Sequence, residues 1–322
     1  MSNWSRHRTS GDRSRDRFVD LSTAVGAVAL PNPVMTASGT SGHGAELGAY
    51  FDISELGAVV VKSVSANAWA GNRAPRVHPV PAGMMNAVGL QNPGVDAWRR
   101  DDLPPLHSAG ARVVASIWGF SVEDYKAAAD ALAGCGPEVV AVEINLSCPN
   151  IEARRQMFAH DPMKAAAAIE ATAGCGRPRW AKLSPNVTDI TAIAGAVLEA
   201  GADAITLVNT VMGLALDPAT GAPRLGNGGG GLSGAAIHPV AVRAVFDVRA
   251  AFPSAPIVGV GGVESGETAA EMLAAGANAV QVGTATFADP RAPLRVLHEL
   301  RAWCAANDVF HLDDLTGRAH RS

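Results

Sequence analysis

Apolar residues recur along this chain in short unbroken runs, at 34–38, 59–64, 113–118, 140–146, 180–183, 204–209, 257–261 and 279–283. Polar or glycine-bearing turns follow them. Alanine-rich stretches suited to helix then appear at 121–134, 162–174, 190–200, 236–251 and 265–275, several closing on a glycine that can take the left-handed conformation at a helix end. Continuous apolar runs are what parallel strands show when helices cover them from outside. Eight strand–helix units in one chain predict an α/β fold, a closed (β/α)8 TIM barrel. An open doubly wound sheet is the competitor, but it ordinarily carries a GxGxxG turn, and 259–264 (GVGGVE) lacks the last glycine. Apolar alternation around Gly26 in 21–31 predicts an N-terminal hairpin closing the barrel bottom.

No Pro/Gly-rich linker divides the remainder, so 19–322 reads as a single domain. Residues 1–18 differ, holding Arg6, Arg8, Arg13, Arg15 and Arg17 among serines and aspartates. Such a segment cannot bury enough surface to fold alone and reads as a disordered basic tail. Asp12 and Asp16, with no apolar stretch beside them, argue against a targeting peptide.

A chain of 322 residues, 48% hydrophobic and 17% charged, can bury a large core. Its net charge of −4 offers no positive excess to displace counterions from nucleic acid, so nucleic acid is not an expected partner. No apolar run approaches the ~20 residues that span a bilayer, so no membrane is expected either. Cys135, Cys148, Cys175 and Cys304 are far apart, without a CxxC pair or a histidine at ligand spacing, which argues against a zinc or iron–sulfur site within this chain. So few cysteines fit a reducing, cytoplasmic setting.

Polar residues gather at the C-terminal ends of the apolar runs: Ser38, Lys62, Ser63, the stretch 145–150, Lys182, Asn209, Thr210 and Thr284. At a barrel mouth each is a donor, acceptor or charge in need of a partner, and their number implies a large polar ligand. One such lysine could be an ordinary rim cation. Two, Lys62 and Lys182, suit delocalised negative charge, as on a carboxylate or the N1–C2=O edge of a reduced flavin. Turns at Gly261, Gly262 and Gly283 follow the last two strands, where barrels commonly cradle a phosphate with main-chain N–H groups. Aldolases, synthases and isomerases share that device, so it does not identify flavin.

Cys148 leaves an apolar strand into a proline-fixed turn between Asn145 and Asn150. A thiol, with an ordinary pKa of about 8.5, can be tuned there to take a proton from carbon. Cys135, Cys175 and Cys304 read as small buried hydrophobes. Segment 86–94 adds Asn86 and a close backbone approach at Gly89, so Asn86, Asn145, Asn150 and Asn209 together match a flat ligand edged with imide and carboxylate groups. Long connections at 65–101, 149–161 and 210–233 are where a barrel mouth places its chemistry. The glycine-heavy run 226–231 is expected only to loosen its connection.

NLSCPN (145–150), NAVGLQNPG (86–94), VVVKS (59–63), AKLSPN (181–186), LVNT (207–210), GGLSG (230–234), GVGG (259–262) and VQVGTA (280–285) together resemble class 1 dihydroorotate dehydrogenase, from about residue 21 to the last helix. NLSCPN is the most specific, because class 2 enzymes are expected to carry serine at the position of Cys148 and a membrane-binding helical region that 1–18 does not resemble. NAVGLQNPG is most similar to the subtype B catalytic subunit, whose partner subunit carries FAD and a [2Fe–2S] cluster and passes electrons to NAD⁺.

The resemblance implies FMN-dependent oxidation of dihydroorotate to orotate in pyrimidine biosynthesis, by a homodimer or a heterotetramer with that partner, with NAD⁺ reached through the partner or fumarate reacting at the FMN directly. Cys148 would remove the C5 proton as the C6 hydride passes to N5 of FMN. Lys62, Asn86, Val88, Gly89, Leu90, Asn145, Asn150, Asn209 and Thr210 would surround the pyrimidine. Ala37, Ser38, Lys62, Asn145, Lys182, Gly234, Gly261, Gly262, Gly283 and Thr284 would hold FMN, the last four at its phosphate. Loop 151–160 (IEARRQMFAH) departs from the pattern, lacking the expected glycines and carrying Arg154 and Arg155. Two other readings stay open at this point: a flavoenzyme like dihydropyrimidine dehydrogenase, and a flavin-free phosphate-binding lyase or isomerase on the same barrel.

Overall fold

A computed structural model describes residues 19–147 and 158–321. The tail expected at 1–18 and the segment 148–157, with Cys148 and Asn150, lie outside the described residues. The strands are β1 (Thr23–Val25), β2 (Val28–Leu30), β3 (Val34–Thr36), β4 (Val59–Val60), β5 (Val77–Val80), β6 (Gly83–Asn86), β7 (Val113–Ile117), β8 (Val139–Asn145), β9 (Arg179–Lys182), β10 (Ala204–Leu207), β11 (Val211–Gly213), β12 (Gly230–Ser233), β13 (Ile257–Val260) and β14 (Ala279–Val282).

Eight of these form one parallel sheet in the order β3-β14-β13-β10-β9-β8-β7-β4. A parallel bridge between Met35 and Ala58, with Gly57 N–H donating to Val34 O at 2.8 Å, joins its two ends. The sheet therefore closes into the expected barrel, and the doubly wound alternative falls. All eight apolar runs supply a barrel strand. The expected helices form as well, and their starts have local causes: Ser121 and Asp124 exchange side-chain-to-backbone bonds at the head of helix Val122–Leu132, and Asp161 and Asp189 cap the helices that follow them.

Strand alternation sorts the barrel interior into layers. At the bottom, Val114, Ala141, Trp180, Ala204, Val258 and Ala279 pack with Val25, Val28 and Leu30 of the β1–β2 hairpin, which plugs that end. Two residues further along the same strands stand Ser116, Glu143, Lys182, Thr206, Val260 and Gln281, all buried. This middle layer is polar, where barrels usually stack branched aliphatics. One more step reaches Trp118, Asn145, Ser184, Val208, Gly262 and Gly283 at the mouth.

The long connections are more ordered than their composition predicts. Within 65–101 and 210–233, strands β5, β6, β11 and β12 build an antiparallel sheet in the order β11-β12-β6-β5, and helix Val95–Asp101 completes the first connection. The run 226–231 does not loosen its connection. A Cβ on Gly230 would lie 2.4 Å from Asn86 O and one on Gly231 2.0 Å from Thr210 Oγ1, so these glycines let β12 approach its neighbours.

Candidate active site

A cavity of about 650 Å³ opens at the C-terminal end of the barrel, between the strand ends and the antiparallel sheet. Its size is that of a ligand pocket. Every sequence-predicted site residue among the described ones lines it.

The floor is a continuous hydrogen-bonded belt. The hydroxyls of Ser38 and Ser63 lie 3.0 Å apart, and both reach Ser116, at 3.2 and 2.8 Å. Asn145 Nδ2 donates to Ser63 Oγ at 3.3 Å, and Asn145 Oδ1 accepts from Asn209 Nδ2 at 3.1 Å and from Ser147 N–H at 3.2 Å. Thr210 N–H donates to Asn209 Oδ1 at 2.8 Å. The polar strand ends thus satisfy one another across five strands, and these bonds orient the side chains of the floor.

The two lysines occupy different surroundings. Lys62 is half-buried, has no carboxylate partner among the described residues, and its pKa is pushed below the ordinary lysine value, first by burial and then by the nearby Arg76 guanidinium. Lys182 is 4% exposed, and its ammonium donates to Glu143 Oε1 at 3.1 Å and to Gln281 Oε1 at 3.2 Å. Among the described residues those are its only partners, so one of the three ammonium N–H donors is left for the cavity that Lys182 lines.

Opposite these lie the glycine turns. Gly261 and Gly262 hold φ values of +136° and +66°, and a Cβ on Gly262 would lie 2.6 Å from His238 Cβ and 3.0 Å from Gly234 O. Backbone alone forms that wall. Thr284 Oγ1 donates to Ser233 Oγ at 2.8 Å, tying the Gly283–Thr284 turn to β12. Ala37 sits against Gly283, whose Cβ would meet it at 3.2 Å.

The segment carrying Asn86, Val88, Gly89 and Leu90 is braced from outside the motif. Asn72 Nδ2 donates to Ala87 O at 3.0 Å, and Trp69 Nε1 donates to Gly89 O at 3.0 Å. Buried Asn92 accepts from Ser65 N–H and Gly94 N–H and donates to Leu90 O. Trp69, Phe120 and Trp118 form an edge-to-face aromatic wall with centroid spacings of 5.1 and 4.6 Å. These aromatics, Asn72 and Glu143 lie outside the quoted motifs, and Gln281, though inside VQVGTA, is not among the expected site residues. Period-two spacing could have found the last two, because Glu143 stands two residues before Asn145 and Gln281 two before Gly283.

The residues fit a phosphate-bearing flat ligand: a side-chain-free wall, an amide and hydroxyl floor, a free lysine donor and an aromatic flank. Fold and site define a (β/α)8-barrel enzyme with its chemistry at the C-terminal mouth. The family model described as dihydroorotate dehydrogenase matches residues 20–303, and the chain belongs to that family. It is 45% identical over 305 residues to the catalytic subunit of dihydroorotate dehydrogenase B (NAD(+)) from Desulforudis audaxviator, covering 94% of this chain and 99% of the relative. Identity is 42% over 302 residues to the catalytic subunit of the same name from Geobacter sp. (strain M21), covering 92% and 97%. It is 42% over 300 residues to that of Alkaliphilus metalliredigens, covering 93% and 98%. As catalytic subunits, these relatives carry names that imply a further subunit. Among the described residues no helix is long and apolar enough to cross a membrane.

Proposed function

We propose that this chain oxidises dihydroorotate to orotate with FMN as its flavin, in pyrimidine biosynthesis, as the cytoplasmic catalytic subunit of a larger assembly. One observation carries the reading: the described residues of motifs scattered from Ala37 to Thr284 line one cavity. The relatives' names support it.

FMN, when bound, supplies the two-electron acceptor for the hydride at C6 of the substrate. The chain's own residues do the rest. Cys148, as thiolate, takes the proton from C5, and Asn150 on the same segment joins Asn86, Asn145 and Asn209 at the imide and ring edges. Lys62, which has no carboxylate partner among the described residues, pairs with the substrate carboxylate, and Val88, Gly89, Leu90 and Thr210 enclose the ring. Lys182 offers its free N–H to the edge of the flavin that gains negative charge. Ala37, Ser38 and Gly234 would hold the flavin, while Gly261, Gly262, Gly283 and Thr284 would present backbone and a hydroxyl to its phosphate. Reoxidation belongs to a partner subunit with FAD and a [2Fe–2S] cluster that reduces NAD⁺, in a heterotetramer built on a dimer of this chain.

The purified chain is expected to be yellow and to release FMN on denaturation. Cys148→Ala is expected to keep its flavin and to lose at least ~10²-fold in the rate of flavin reduction by dihydroorotate, the usual scale for a positioned base. Full activity in that variant removes Cys148 from the mechanism, and colourless protein that refuses FMN favours a lyase or isomerase.

A further inference from the structure

Glu143, Lys182 and Gln281 close a triangle inside the barrel, from β8, β9 and β14. Lys182 Nζ donates to Glu143 Oε1 at 3.1 Å and to Gln281 Oε1 at 3.2 Å, and Gln281 Nε2 donates to Glu143 Oε2 at 2.7 Å. Glu143 and Gln281 are 0% exposed. Both carboxylate oxygens and both ends of the amide are used, which a buried ion pair needs if its desolvation is to be offset. Stability alone does not call for the arrangement, since apolar residues of similar volume serve a buried core as well or better. Of the three side chains only Lys182 reaches the cavity.

We propose that Glu143 and Gln281 are positioning residues that hold Lys182 with one N–H turned to the cavity and cancel the charge it presents to the bound flavin. The proposal rests on the flavin reading. With Glu143 ionised the triangle is neutral, so Lys182 offers the reduced flavin a directed hydrogen bond without a full unit of net positive charge. Removing the carboxylate leaves a buried cation with no other carboxylate partner among the described residues, so negative charge on the reduced flavin would serve as its counter-charge. Reduced flavin is then favoured over oxidised flavin.

The test is the midpoint potential of bound FMN, with the FMN dissociation constant of the stripped protein as a second readout; neither depends on turnover. Glu143→Gln is expected to favour reduced over oxidised FMN at least tenfold, an upward shift of about 30 mV for a two-electron couple. The exchange Glu143→Gln/Gln281→Glu moves the carboxylate to the other corner, beside the same ammonium, and is expected to restore the wild-type potential. A purely structural role lowers stability without moving the potential. Should Glu143→Gln alone not fold, Glu143→Gln/Lys182→Gln, which buries no charge, decides. Its preference for reduced over oxidised FMN stays within tenfold of wild type, about 30 mV, if the carboxylate cancels the lysine, and a larger fall, the sign of a lysine acting unopposed, overturns the proposal. FMN bound normally with an unmoved potential in Glu143→Gln overturns this inference alone; wild-type chain that binds no FMN ends the flavin reading as well.

Discussion

His43 shows how one side chain couples the mouth to acid stability. It follows Gly42, whose carbonyl accepts the Lys62 backbone N–H at 2.9 Å, and its buried Nε2 has no hydrogen-bond partner among the described residues. Burial pushes its pKa from 6.5 to about 4, the Lys62 cation pushes the same way, and Glu46 opposes both. The folded chain keeps this ring neutral where the unfolded chain protonates it, so between about pH 6.5 and 4 the unfolded state binds more protons. Stability present above that window is lost as the pH falls through it. The loss attributable to His43 is on the order of 1 kcal/mol once its partial exposure to solvent is discounted. In urea titrations at pH 7.5 and 5, His43→Phe is expected to lose less stability between the two than the parent chain does; an equal loss refutes the assignment.

At the scale of elements, the antiparallel sheet over the mouth is the part least visible in the sequence. The barrel strands are legible because both of their faces are buried, which leaves unbroken apolar runs. Strands β5 and β12 have no such run: one contains Pro79 and the other opens with two glycines, and their residues alternate or stay half-exposed. Period-two spacing places Glu143 and Gln281 inside the barrel, but their pairing is hidden for a different reason. They meet across 138 positions of sequence, and only the closed barrel makes them neighbours. The glycines of β12 are therefore structural. Gly230→Ala would drive a methyl against Asn86 O and the Leu225 side chain, so it is expected to weaken substrate and FMN binding at least tenfold while far-UV circular dichroism keeps the barrel signature. Gly228→Ala meets nothing within 4 Å and costs only the strain of a positive φ, about 1–2 kcal/mol. Equal effects of the two on binding would show that β12 does not shape the cavity.

The whole molecule separates stability from chemistry along the barrel axis. The hairpin plug and the apolar layer around Trp180 close one end, the Glu143–Lys182–Gln281 triangle fills the middle, and the belt from Ser38 to Asn209 floors the cavity at the other. This polarity is general to the fold, in which loops at the C-terminal end carry function and the opposite end carries stability. What marks this chain is the polar middle layer, which brings a charged network up beneath the mouth. The proposed chemistry requires that mouth to hold a flavin and dihydroorotate together. Anaerobic mixing of the purified chain with dihydroorotate tests it most directly. The flavin absorbance is expected to bleach in a single turnover, with one orotate formed per flavin and no partner subunit present. A flavin that stays oxidised with dihydroorotate in excess would contradict it.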